Sequence, residues 1–219
     1  MASYYQKTLR NLKYKVMKNL TKTLFAVALT AVVFTSSAMS SFAIAPIKKE
    51  TKVNAVPTFK RIWVSGNVKI NLTQGSTTSI LGGDGYDATK TSVMSDGRTL
   101  FINSLENSQV TLNITVKDLE RIEAYGQSVV LSSNNLDVKN LQLFLNQSAT
   151  VKIKATAGSL YTVVKEDAVL KLNGTADQST MVASNNKNVN IEKFASKQSA
   201  SYTSEAIMNA AQNAMVLAK

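Results

Sequence analysis

Lys152 and Lys171 stand 19 residues apart with Lys154 close by, and three ammonium groups so placed can attract an acidic glycan or a phosphate-rich partner. The competing reading is that outward lysines keep a strand surface soluble and discourage molecules from stacking. Gly82-Gly83-Asp84-Gly85-Tyr86-Asp87 matches the start of a calcium-binding nonapeptide. Calcium needs about six to eight oxygens, which that motif supplies only in tandem. There is one copy, and Thr89 stands where a large apolar residue belongs, so a plain glycine turn is the better reading. Glycoside chemistry needs two acids roughly 5 to 9 Å apart across a cleft. The pairs Asp118/Glu120 and Glu166/Asp167 fall at corners, where solvated turns explain them, and Arg10, Arg61, Arg98 and Arg121 are the only arginines. Histidine and cysteine are absent, which removes disulfides, thiolate or imidazole metal ligation and every nucleophile–histidine mechanism. No catalytic residue, metal site or cofactor is assigned. Lys152, Lys154 and Lys171 are the candidate ligand surface.

The elements that position these side chains follow from a spacing of 19 or 20 residues. Gln127-Ser128-Val129-Val130-Leu131 is matched by Gln147-Ser148-Ala149-Thr150-Val151, then by Glu166-Asp167-Ala168-Val169-Leu170 and Asn185-Asn186-Lys187-Asn188-Val189. One column reads Leu131, Val151, Leu170, Val189, Met208, and the column two residues on reads Ser133, Ile153, Leu172, Ile191, Ala210. Between them run Ser132, Lys152, Lys171, Asn190 and Asn209, all polar. Apolar–polar–apolar alternation marks a strand with one face buried, and its fixed recurrence marks a stacked solenoid. Before the repeats, Phe59 to Val64, Val68 to Leu72, Thr78 to Leu81 and Val110 to Val116 read as strands. Asp96-Gly97 is a hairpin turn leading into Leu100-Phe101-Ile102. No stretch between 58 and 200 has helical periodicity, so the class is all-β. Gly126, Asn146, Lys165 and Asn185 fall at successive corners, where a left-handed backbone suits Gly and Asn but not Lys.

The chain is 44% hydrophobic with ordinary charge content, the composition of a folded domain. Its net charge of +11 is uneven: residues 1–45 hold six basic side chains and no acidic one, leaving 19 basic against 14 acidic residues, or +5, in the remainder. No basic stripe interleaved with aromatics is present, so nucleic acid is excluded as a partner. The basic stretch ends at Lys22, the apolar run Leu24–Phe34 follows, and Ser41-Phe42-Ala43 offers small residues where a signal peptidase reads. Eleven helical residues span about 16 Å, short of the roughly 30 Å hydrocarbon core. The expected organisation is a signal peptide over 1–43, cleaved after Ala43 and with Met17 as an alternative start. A flexible lead-in over 44–57, a β domain over 58–203, and a cap or last coil over 204–219 follow it. An uncleaved N-terminal anchor is the alternative reading of the apolar run.

Phe59-Lys60-Arg61-Ile62-Trp63-Val64-Ser65-Gly66-Asn67-Val68-Lys69-Ile70-Asn71-Leu72-Thr73-Gln74-Gly75 resembles the opening of the auto-transporter adhesin head GIN domains, exported proteins common in Bacteroidetes. Asp96-Gly97-Arg98-Thr99-Leu100-Phe101-Ile102 is similar to that family's turn and strand, and Val116 to Gly126 to its entry into the repeats. The likeness covers roughly 58 to 192. The corners depart from it, since Asn146, Lys165 and Asn185 stand where the family has glycine. The resemblance implies a right-handed parallel β-helix with an adhesive or surface role. The expected protein is exported to the periplasm, outer-membrane surface or medium, is not an enzyme, and presents a rigid polar ladder to a surface glycan or envelope protein. Two rivals are a glycan-active β-helix enzyme and a periplasmic scaffold that self-associates through an open end of its stack.

Overall fold

The structure is a computed structural model that describes residues 51–53 and 58–205. The chain divides into two units, Met1–Ile47 and Lys48–Lys219, and every described residue belongs to the second. The signal segment, Ala43, Met17 and the repeat positions Met208 and Ala210 lie outside the described residues.

Among the described residues twelve strands follow one another: β1 (Thr51–Lys52), β2 (Arg61–Gly66), β3 (Val68–Gln74), β4 (Ser79–Gly82), β5 (Thr91–Asp96), β6 (Thr99–Ser104), β7 (Val110–Val116), β8 (Arg121–Ala124), β9 (Val129–Leu145), β10 (Thr150–Val164), β11 (Val169–Ala183) and β12 (Val189–Thr203). Alternation explains them. Val110, Leu112, Ile114 and Val116 are buried while the residues between are not, as period 2 demands of a strand with one covered face.

All twelve belong to one sheet. The expected right-handed parallel β-helix, a solenoid of about 19–20 residues per coil, is not the fold. The sheet is mixed and curls into a half-barrel. β1 runs antiparallel to β4, β4 to β7, and β5 to β6. Strand order also departs from sequence order: β2 lies between β6 and β8, and β3 between β7 and β9. The reason lies in the first half of the chain. Asp96-Gly97 closes a tight hairpin with Gly97 at φ 55°, and the turn through Gly75 reverses the chain between β3, parallel to β7, and β4, antiparallel to it. Both turns produce antiparallel neighbours that a coil cannot contain.

The 19-residue spacing survives locally, as the parallel register of the long strands. Val151 faces Leu170 and Leu170 faces Val189. The column begins one residue earlier than expected, at Val130, because Val151 pairs with Val130 and not Leu131. An irregularity between Lys152 and Lys154 takes up two extra residues on β9. The same offset moves the corners: left-handed backbone falls at Gly126 (φ 67°), Gln147 (φ 59°) and Glu166 (φ 56°), so Lys165 is spared. Asn185 is extended at φ −138° and caps a short 3-10 turn, so the last corner is of another kind. Ile191, expected inward, is 40% exposed.

Each long strand bends midway. In β10, Val151, Ile153, Ala155 and Ala157 are buried, and then the phase shifts so that Leu160, Thr162 and Val164 are. The first part of β9 continues the ladder of β7 and β3, and its last four residues continue the ladder of β6, β2 and β8. Two ladders therefore turn their inner faces onto one hydrophobic cluster that includes Ile62, Leu72, Leu143 and Leu170. Gly66 makes one such bend: at φ 91° its missing Cβ would stand 2.0 Å from the Ser104 carbonyl oxygen.

Candidate functional site

The three candidate lysines are all exposed on the outer face of the first ladder. Lys152 and Lys171 occupy facing positions on β10 and β11, about 4.8 Å apart along the ladder. Lys154 is on the next outward position, between Asn135 and Asn173. The row through Lys152 and Lys171 continues to Leu131, Asn71 and Asn113, where the Asn71 amide donates to Asn113 Oδ1 at 2.8 Å. Leu131 aside, this row is polar.

The second ladder has a different exterior. Inward Ile62 and Val64 leave Trp63 outward; inward Leu100 and Ile102 leave Phe101 outward; inward Leu143 and Leu145 leave Phe144 outward. Strand pairing joins these into one row: Met94, Phe101, Trp63, Glu123, Phe144, Val163, Val182, Tyr202. Eight strands at about 4.8 Å make it roughly 34 Å long. Met94 is 63% exposed, Phe101 37% and Tyr202 48%. Val163 and Val182 are buried yet lie outside the main core cluster, so the exterior carries an apolar patch of its own. Patches of this kind on a protein surface mark contact sites.

The rings hold one another. Trp63 stands 6.0 Å from Phe101 and 5.4 Å from Tyr125 between centroids, and Phe144 5.9 Å from Tyr161, all tilted. The Arg121 guanidinium sits 5.1 Å over the Phe144 ring. It also donates from Nε to Gln142 Oε1 at 2.8 Å and pairs with Glu123 at 3.1 Å. The Tyr125 hydroxyl donates to the same carboxylate at 3.3 Å. Burial first, and the Glu123 charge second, raise the Tyr125 pKa above its ordinary value of 10.0. Arg121, Glu123, Tyr125, Phe144 and Tyr161 line a cleft of about 390 Å³, together with Asn146 and Lys165.

A second groove, of about 580 Å³, follows the bend between the two ladders. Thr156, Ala157, Gly158 and Ala176 line it, and its Asp177 is paired with Lys197 at 2.7 Å. It offers no ring to stack on. Among the described residues no group of three or more acidic side chains could hold a metal ion. Gly82 to Asp87 forms a turn in which the Asp87 carboxylate accepts from the Thr89 amide at 2.9 Å and hydroxyl at 2.7 Å.

Sequence reasoning singled out the lysines and missed the aromatic row. The signal was there: a large ring at a position that alternation assigns to solvent is unusual in a strand with one buried face.

The profile of one protein family, described as "putative auto-transporter adhesin, head GIN domain", matches residues 58–214. No curated protein matches the chain. Among solved structures, a putative adhesin from Bacteroides fragilis is 20% identical with a TM-score of 0.62, covering 72% of this chain and 78% of its own. Putative adhesins from Parabacteroides distasonis and Parabacteroides merdae are 13% and 12% identical, with TM-scores of 0.52 and 0.50. Each alignment covers 70% of this chain, and 77% and 76% of theirs respectively. At these identities the likeness is one of fold.

Proposed function

The chain belongs to the putative auto-transporter adhesin, head GIN domain family, and from that premise we propose that it is an exported, non-enzymatic binding protein of a Bacteroidetes-type cell envelope. The observation that carries the reading is the outward aromatic row of the second ladder, fixed on strands paired on both sides. Rigid rings lose little conformational freedom on binding, so they contribute contact area at low entropic cost. The partner, a surface glycan or an envelope protein, lies across the strands along this row. Lys152, Lys154 and Lys171 on the first ladder add a charge attraction that salt screens. Single molecules bind weakly, and many copies on one surface multiply the effect. The family's adhesin character supports surface exposure or export. Among the described residues no helix is long and apolar enough to cross a membrane.

Two measurements test the reading. Beads densely coated with the protein should retain target cells better than beads with sparse coating, and Trp63→Ala should remove most of that retention. Retention unchanged by Trp63→Ala at equal folding would refute the role of the row. N-terminal sequencing of protein recovered from the envelope should begin at or near Ile44; a stable species retaining the first 43 residues would refute cleavage after Ala43.

A further inference from the structure

We propose that the cleft formed by Tyr125, Phe144 and Tyr161 is a subsite for one pyranose ring of a glycan chain. This rests on the reading of the outer row as the binding face, and it names the ligand class. Tyr125, Phe144 and Tyr161 give the cleft an aromatic floor, one face of Phe144 being taken by the Arg121 guanidinium. Phe144 and Tyr161 are inclined at 54°, so neither covers the other completely, and Tyr161 keeps 37% of its surface exposed. A pyranose presents a face of C–H bonds suited to such a floor.

The walls match the rest of the sugar. Glu123, Arg121 and Asn146 are planar groups with donors or acceptors in pairs, the pattern that adjacent ring hydroxyls require. Arg121 and Glu123 are also held in place before any ligand arrives. Arg121 is fixed by Gln142, Glu123 and the Phe144 ring, and Glu123 by both Arg121 and Tyr125. Preorganised polar groups around an apolar floor are what small-ligand sites use to fix orientation. A cleft of about 390 Å³ suits one or two sugar rings, whereas a flat protein partner needs a far larger area.

Charge refines the class. Arg121 and Glu123 balance each other, while Lys165 of the lining has no ion-pair partner among the described residues. The site therefore carries one net positive charge and prefers a sugar bearing a carboxylate to its neutral counterpart.

The test uses the purified chain on a printed panel of neutral and uronate-containing oligosaccharides, followed by calorimetry with the best member. The wild type should bind a member of the panel. Tyr161→Ala should weaken that binding about tenfold or more, with thermal melts confirming that this outward residue leaves the fold intact. Lys165→Ala should weaken uronate binding and leave the neutral sugar unchanged. Absence of any glycan binding, or binding indifferent to Tyr161→Ala, would overturn the subsite. If glycan binding is absent but bead retention still depends on Trp63, the subsite fails while the binding face stands. If retention ignores Trp63 and Tyr161 alike, both fail.

Discussion

Leu170→Ala is the most direct probe of the inner column. Leu170 is fully buried and stands between Val151 on β10 and Val189 on β12. The substitution removes three carbons, which at about 0.8 kcal/mol per buried methylene corresponds to roughly 2.4 kcal/mol of lost transfer free energy. The cavity adds to this. Val189 is only partly buried and can settle into the space, so the total should fall near the lower end of the Leu→Ala range, about 3 kcal/mol. Lys171→Ala, one residue on and exposed, should change stability by less than about 0.5 kcal/mol. Urea titration followed by tryptophan fluorescence at Trp63 reads both. With a slope of roughly 1–3 kcal/mol per molar, Leu170→Ala should lower the midpoint by about 1–3 M without changing the slope. Equal shifts for the two variants, or a Leu170 effect below about 1 kcal/mol, would mean that the inward assignment of the column is wrong.

The Thr162 hydroxyl is buried without a hydrogen-bond partner, between Leu143 and Met181. Thr162→Val should raise stability by about 1 kcal/mol in thermal melts, since it removes an unsatisfied group and keeps the shape. Glu166 holds φ 56°, so Glu166→Gly should be neutral or stabilising by up to about 1 kcal/mol in urea titration, and Glu166→Val destabilising by more than that. Burial, then the Glu123 carboxylate, raises the Tyr125 pKa above 10.0. The stability linked to this group is therefore present below pH 10 and lost as pH rises through the folded value. Burial and the Asp87 charge raise Tyr86 too, so ultraviolet titration should show late-ionising tyrosine absorbance of which the Tyr125 part disappears in Tyr125→Phe. Glu123→Gln should lower the Tyr125 midpoint only in part, because burial is the larger cause.

Much of the fold was readable residue by residue. The strict alternation of Val110 to Val116 is enough for a half-buried strand, Asp96-Gly97 for a hairpin, and Val151/Leu170/Val189 for a parallel register. What escaped was non-local. Nothing in β2 or β3 says that their partners lie after a hairpin and a glycine turn, so a repeat seen in the second half was extended to the whole domain. The one-residue slip at Leu131 has a local cause, since between Lys152 and Lys154 the facing strand β9 carries two extra residues that a fixed period cannot represent. The aromatic row was missed for a related reason. Its members come from strands far apart in sequence, and only their alignment across the sheet makes a surface of them.

The insertion of β2 and β3 between later strands also decides how the domain bears force. A load applied at the N-terminal end first meets β1, held to β4 at Thr51 and Lys52 and by the Val53 amide, which donates to the Ile80 carbonyl at 3.1 Å. Behind it the pull enters the middle of the sheet. β2 is gripped on one side by six positions of β6 and on the other by four of β8, and β3 by seven of β7 and four of β9. Tension along these strands shears both flanking ladders together, so the bonds must fail in groups and cannot be unzipped singly. A molecule tethered by that end would thus stretch by one small step and then hold, with the aromatic row still carried on the strands that resist.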